Sequence, residues 1–280
     1  MFFAVQETSA HTDSLKVWRF VYEVSDVNNK DRGNDLMNLD VKPDGSSFFY
    51  SIYHKTQYSD AEVKAIVNGT DSLKAGAPYR ILRDAPKNEI TFVTDGPDNF
   101  YYKEDNIKMQ WKILDKDTMV ICGYTCKKAT TSFAGRSWVA WFSEDLPISG
   151  GPWKFSGLPG LILSAYDTDN YFKFVCVGIE QTKCLPWNVN TKHYIKCTNE
   201  EYQKQLRLFA ADPVNYALRK VGLAPVSANN VRIVEENGKA RNTLPKFLWK
   251  KFLRTNNNRL TFIPAMNGPS ASFSLMSVLA

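Results

Sequence analysis

Thr118-Met119-Val120-Ile121-Cys122-Gly123-Tyr124-Thr125-Cys126-Lys127-Lys128-Ala129-Thr130-Thr131-Ser132-Phe133-Ala134-Gly135-Arg136-Ser137-Trp138-Val139-Ala140-Trp141-Phe142 contains three runs rich in β-branched and aromatic residues, residues 118–121, 125–131 and 138–142. Turn chemistry divides them, at Gly123-Tyr124 and at Ala134-Gly135-Arg136, so hairpin follows hairpin and an antiparallel meander is the economical reading. The pattern extends both ways. Residues 161–167 and 171–179 continue it towards the C-terminus, separated by Asp167-Thr168-Asp169-Asn170. Towards the N-terminus, residues 18–24, 48–53, 90–93 and 107–114 read the same way, broken by Lys42-Pro43-Asp44-Gly45 and Asp95-Gly96-Pro97. Trp18, Phe20, Tyr22 and Val24 fall on one face at period two, which is strand arithmetic. The predicted fold is mainly β (α+β): an antiparallel meander forming a curved open sheet or half-barrel, with helices C-terminal to it.

After Ile179 the signals change. Thr198-Asn199-Glu200-Glu201 has the form of a capping box opening a helix over residues 202–209. Asp212-Pro213 is a second N-cap followed by proline, leading into residues 216–221 and a stop near Gly222. Leu244, Phe247, Leu248 and Leu253 are amphipathic at helical spacing over residues 243–254. The expected organisation is a signal-peptide remnant or disordered segment over 1–14, a β-rich core over 15–180, a helical extension packed on the sheet over 181–264, and a tail over 265–280.

In the 280 residues, 44% are apolar and 23% charged, which excludes wholesale disorder and collagen-like sequence. No stretch approaches the roughly 20 apolar residues of a membrane-spanning helix. Lys+Arg exceed Asp+Glu by 35 to 29, and seven of the basic residues fall between Lys239 and Arg259 with no acidic residue among them. That stretch is a candidate for peripheral contact with anionic lipid or an acidic partner, or else the solvated face of a late helix. Phe247, Trp249, Lys250, Lys251 and Phe252 have a nucleic-acid-binding composition but form too short a cluster, so no nucleic acid is expected.

Five cysteines, an odd count, do not make a disulfide scaffold. Cys122 and Cys126 are the disulfide candidates. On one continuous strand they would lie about 13 Å apart, beyond bridging distance, unless a turn at Gly123-Tyr124 brings them closer. Cys184, His193 and Cys197 are weak candidates for zinc, because their spacing matches no standard module and no fourth ligand is evident. There is no Gly-x-Ser-x-Gly elbow and no phosphate-binding glycine loop, so no catalytic residue and no cofactor is assigned.

The dense segment runs from Leu146 to Leu163 and includes Gly151-Pro152-Trp153-Lys154-Phe155-Ser156-Gly157-Leu158-Pro159-Gly160-Leu161-Ile162. Prolines and glycines alternate there with large apolar residues, which excludes a helix and a central strand. It reads as a rigid aromatic loop entering a buried strand, with Pro159-Gly160 suited to a type II turn. Trp141, Gly151, Pro152, Trp153, Phe155, Gly157, Leu158, Pro159 and Gly160 are the candidate binding residues. The competing reading is a chain reversal that plugs one mouth of the β-core.

Gly157-Leu158-Pro159-Gly160-Leu161-Ile162 resembles the signature of the GLPGLI family. Residues 117–129, 133–142 and 151–155 resemble further family blocks in the same order, and Phe48-Phe49-Tyr50-Ser51 an earlier one, so the resemblance spans about 15–180. Members are exported by Gram-negative bacteria and commonly carry signal peptides, and the family has no established activity. The resemblance therefore implies a periplasmic or exported protein, outer-membrane association included, and a signal-peptide remnant at residues 2–10. By fold analogy, a meander with helices on one side resembles the half-barrels of lipoprotein carriers, whose concave face holds acyl chains. The leading expectation is an extracytoplasmic binding protein for an apolar ligand, lipid or lipidated protein. The alternative is a structural or assembly factor for an outer-membrane or other cell-envelope partner, without a small-molecule ligand. A thiol- or metal-dependent protein ranks third.

Overall fold

Two antiparallel meanders, joined through the first strand of one and the last of the other, build the sheet. The computed structural model describes residues 14–26, 34–54, 76–95, 98–105, 107, 109–187, 189–212, 215–216, 219, 233–236 and 239–242. The first meander comprises β1 (Leu15–Asp26), β2 (Asp35–Val41), β3 (Ser47–Ser51), β4 (Tyr79–Asp84), β5 (Glu89–Asp95) and β6 (Asn99–Asp105). The second comprises β7 (Lys112–Ile121), β8 (Tyr124–Phe133), β9 (Arg136–Ser143), β10 (Leu161–Asp167) and β11 (Phe172–Cys184). β1 pairs antiparallel with β11 from Leu15 opposite Cys184 to Asp26 opposite Phe172, with a bulge between Val21 and Tyr22. A short β12 (Ile195–Lys196) adds parallel to β6. The result is one open, curved sheet of 12 strands in the order β12-β6-β5-β4-β3-β2-β1-β11-β10-β9-β8-β7.

The β8–β9 hairpin turns at the expected Ala134-Gly135, and the β7–β8 hairpin one residue earlier than the expected Gly123-Tyr124. Cys122 and Gly123 have φ of 48° and 83°, and Ala134 and Gly135 49° and 74°. A pair of left-handed residues is the two-residue turn that matches strand twist. Within the two meanders three strands escape the sequence reading, β2, β4 and β6. The run read over 107–114 is strand only from Lys112, and it continues through the residues 118–121 run as one strand. A register shift between Leu114 and Thr118 separates the two halves.

Period-two burial holds on one face, called here the inner face: Phe20, Tyr22, Phe49, Phe92, Phe142 and Phe174 are all buried. Trp18 shares that face, stacked on Phe20 at 6.3 Å, but at the strand end it stays 37% exposed. The helix α1 (Asn199–Ala211) starts at the expected capping box: Thr198 Oγ1 accepts from Glu201 N at 3.2 Å and Thr198 N donates to Glu201 Oε2 at 2.8 Å. Its Tyr202 packs on Phe92, Phe100 and Tyr102. Asp212 then accepts from Asn215 N at 3.1 Å, as an N-cap would. Strand also occurs in the segment read as a helical extension, where β13 (Ile233–Glu236) and β14 (Lys239–Asn242) pair as an antiparallel hairpin. The helix expected over 243–254, most of the basic stretch to Arg259, the N-terminal remnant and the 265–280 tail lie outside the described residues. Among the described residues no helix is long and apolar enough to cross a membrane.

Candidate functional site

The 146–160 loop lies against the inner face and fills it. Gly151, Pro152, Trp153, Lys154, Phe155, Leu158 and Gly160 are buried, and only Gly157 and Pro159 of the predicted set are exposed. Phe155 sits edge-on to Trp138 at 4.8 Å, to Trp153 at 5.3 Å and to Phe174 at 6.0 Å. Trp111 Nε1 donates to Ser156 O at 2.8 Å and fastens the far end of the loop. Trp141 is not part of this group. It alternates with the buried Ala140 and Phe142 and so projects from the opposite face, where Lys128 Nζ lies 5.8 Å over its ring.

The glycines act differently from the expected turn. Gly160 is not among the residues with positive φ, so no type II turn forms at Pro159-Gly160, whereas Gly157 has φ +95°. Gly160 is needed for close approach: a Cβ there would stand 2.0 Å from the Ser143 carbonyl oxygen. Trp153, a bulky residue, has φ 52°, a conformation held only because its surroundings over-determine it.

Lys154, which sequence reasoning did not single out, carries a charge into this core. Its Nζ lies 2.6 Å from Glu104 Oε1, donates to Tyr102 OH at 3.0 Å, and stands over the rings of Phe92 and Tyr102. Burial lowers the Lys154 amine from the ordinary lysine value, while Glu104 pulls the other way. Arg83 of β4, also buried, donates to Lys154 O at 3.2 Å and Phe155 O at 3.4 Å, and burial lowers it to about 10. The loop between β9 and β10 is thus tied to β4 and β6 across the inner face. A lysine between two aromatics, Trp153 and Phe155, was the available signal.

On the outer face the chain from β11 to β12 crosses β1–β6 as a strap. Trp187 packs on Phe48 at 5.9 Å with Lys42 Nζ 4.2 Å over its ring. Beneath it, Arg19 holds the buried Asp40 through two hydrogen bonds of 2.7 and 2.8 Å, and Tyr50 OH donates to Asp40 Oδ2 at 3.1 Å. Further on, Tyr194 OH donates to Asp95 Oδ1 and accepts from Arg80 at 2.7 Å. His54 Nε2 and Arg80 reach Asp95 Oδ2 at 2.6 and 2.9 Å. Burial alone would raise Asp95, but the His54 hydrogen bond, the Arg80 charge and the Tyr194 hydroxyl outweigh it and hold the carboxyl below its usual range. These acid–base groups are committed to one another and fasten the strap.

Cys184, His193 and Cys197 are not brought together. Cys184 ends β11, His193 is exposed in the strap, and Cys197 follows β12 with its Sγ 3.6 Å from Tyr101 O. Among the described residues no three His, Cys, Asp or Glu side chains are grouped to hold a metal ion. All five cysteines are thiols. Cys122 lies exposed in the β7–β8 turn and Cys126 is buried on β8.

β7 is an edge strand with no neighbour beyond it among the described residues. Nine of its residues are exposed or half-buried, with Val120 69% exposed and Met119 41%.

Residues 88–203, less than half of the chain, match the family "N-glycanase peptide, N-terminal domain". This region runs from the β4–β5 turn through the inner loop and the strap into α1. Two solved crystal forms of PNGF-II are similar to the chain, with TM-scores of 0.49 and 0.48 and 17% and 18% identity. Each match covers 69% of this chain and 33% of that one, so the chain matches about a third of their length. No curated protein matches the chain in sequence.

Proposed function

We propose that the chain is an extracytoplasmic protein-binding module, a structural or assembly part of the cell envelope, and that it holds no apolar small molecule. The observation that carries this reading is the filled inner face. Trp153, Phe155 and α1 occupy the side of the sheet where a half-barrel carrier would take an acyl chain. The extracytoplasmic placement rests on the GLPGLI resemblance of residues 15–180. The domain named by the family matching residues 88–203 supports a modular role.

The contact surface is the β7 edge. An unpaired strand edge offers main-chain donors and acceptors to an extended segment of another protein. The charged Asp115, Lys116 and Asp117 at its register shift confine that pairing to the ends of the strand.

Native mass spectra of protein purified from the periplasm without detergent, before and after denaturation, test the first half of the proposal. The expected result is the chain's own mass in both. A reproducible extra mass in the lipid range that leaves on denaturation overturns the reading in favour of a carrier. For the second half, a photoreactive side chain at Val120 is compared in intact cells with one at Val177, exposed on β11 away from the edge. A discrete protein adduct at position 120 alone is expected, and equal labelling at both positions, or none, removes β7 as the contact.

A further inference from the structure

We propose that Cys122 and Cys176 form a disulfide in an oxidising thiol–disulfide environment, clasping the tip of the β7–β8 hairpin onto β11. The pairing is not that of the two cysteines nearest in sequence, Cys122 with Cys126, and it does not depend on the binding role proposed above.

The sheet's curl makes the pair. β8, β9 and β10 separate β7 from β11 in strand order, yet the hairpin tip bends over the inner face so that Cys122 Sγ donates to Cys176 O at 3.2 Å. Cys122 Sγ makes this hydrogen bond to Cys176, and among the described residues it makes none to Cys126. Cys126 points back along its own hairpin, its Sγ donating to Tyr124 O at 3.6 Å. Tyr124 to Cys126 is two residues of strand, about 6.7 Å, and Cys122 lies further still, past the reach of a disulfide.

Exposure decides the order of events. Burial raises the Cys126 thiol to about 11 and pushes Cys176 up as well, so both stay protonated near neutrality. Cys122, exposed in the turn, is left to make the first attack. With oxidised glutathione as the co-reactant, Cys122 loses its proton to solvent and its sulfur attacks one glutathione sulfur, expelling the other as thiolate. Cys176 then gives up its proton and attacks Cys122 Sγ, expelling the second glutathione. Two protein thiols are oxidised and one glutathione disulfide is reduced to two thiols. Proximity favours the second step over capture by another glutathione.

Tryptic mapping of the full chain after equilibration with oxidised glutathione, with free thiols blocked by iodoacetamide, is the test. Cys122 and Cys126 share the peptide of residues 117–127, while Cys176 lies in that of residues 174–183. The expected product is a cross-link between these two peptides, kept in Cys126→Ser and lost in Cys122→Ser. A link internal to residues 117–127, or full alkylation of Cys122 and Cys176, overturns the proposal. Should Cys126→Ser not fold, fragment ions of the wild-type cross-link assign the bonded sulfur, and assignment to Cys126 overturns it equally.

Discussion

A methyl group on Gly160 would meet the Ser143 carbonyl oxygen at 2.0 Å and its carbon at 2.6 Å, main-chain atoms that cannot swing aside. Gly160→Ala is therefore expected to cost more than about 2 kcal/mol. Gly135→Ala meets nothing within 4 Å but must hold φ +74°, for a cost of about 1–2 kcal/mol. Urea midpoints check the order, and a milder effect at Gly160 would show that the loop yields. Lys154 gives a pH signature. Its folded pKa is lowered from 10.5, so between the lowered value and 10.5 the unfolded chain binds more protons and stability rises with pH. Lys154→Met removes that rise. The difference between wild-type and variant unfolding free energies should fall on the wild type's side as pH increases, and a flat difference would place the amine in solvent. Both residues sit inside the motif that drew attention in the sequence. The motif does not say that Gly160 serves contact rather than φ, because contact is made by Ser143, distant in sequence. Lys154 reads as an ordinary surface lysine until the ring stack around it is known.

The elements legible in the sequence are those with runs rich in β-branched and aromatic residues, among them β1, β8, β9 and β11, and α1, which begins on its capping box. β2, β4 and β6 escape because their polar residues have partners elsewhere in the chain. Asp40 on β2 faces Arg19, Arg83 on β4 caps loop carbonyls, and Glu104 on β6 faces Lys154. The strap falls within the 181–264 segment that the sequence reads as a helical extension, and its fastening depends on Asp95 being ionised. That carboxyl is held below 3.8, so its contribution is fully present above that value and is lost as pH falls through the folded pKa. Acid should release the strap before the sheet. Tyr194→Phe removes the hydroxyl shared by Asp95 and Arg80, at a cost of about 1 kcal/mol. Hydrogen exchange at Tyr194 and Cys197, whose amides donate to Thr191 O and Tyr101 O, should then run about fivefold faster. Unchanged protection would mean that Trp187 and the β12 pairing suffice to hold the strap.

For the whole molecule, each meander was legible but their junction was not, since β1 and β11 are far apart in sequence and nothing local specifies their pairing. The open half-barrel was likewise legible, and its filling was not: aromatics in a stiff loop serve equally to display or to plug. Phe155 distinguishes the two. It touches Trp138 on β9 and Phe174 on β11, while its carbonyl accepts from Arg83 on β4. The neighbouring Lys154 reaches β6. One loop thus bridges both meanders, and loosening it loosens both. Phe155→Ala is expected to cost about 3–5 kcal/mol, with far-UV circular dichroism and tryptophan fluorescence still reporting one shared transition. Phe155→Leu, which keeps most of the volume, should cost less than about 1.5 kcal/mol. Two separated transitions in the alanine variant would show that the meanders fold independently and that the loop is an accessory. A cost under about 1 kcal/mol would mean that the inner face has room to spare around Phe155. That room is what a carrier of an apolar ligand requires, and the protein-binding reading would give way to it.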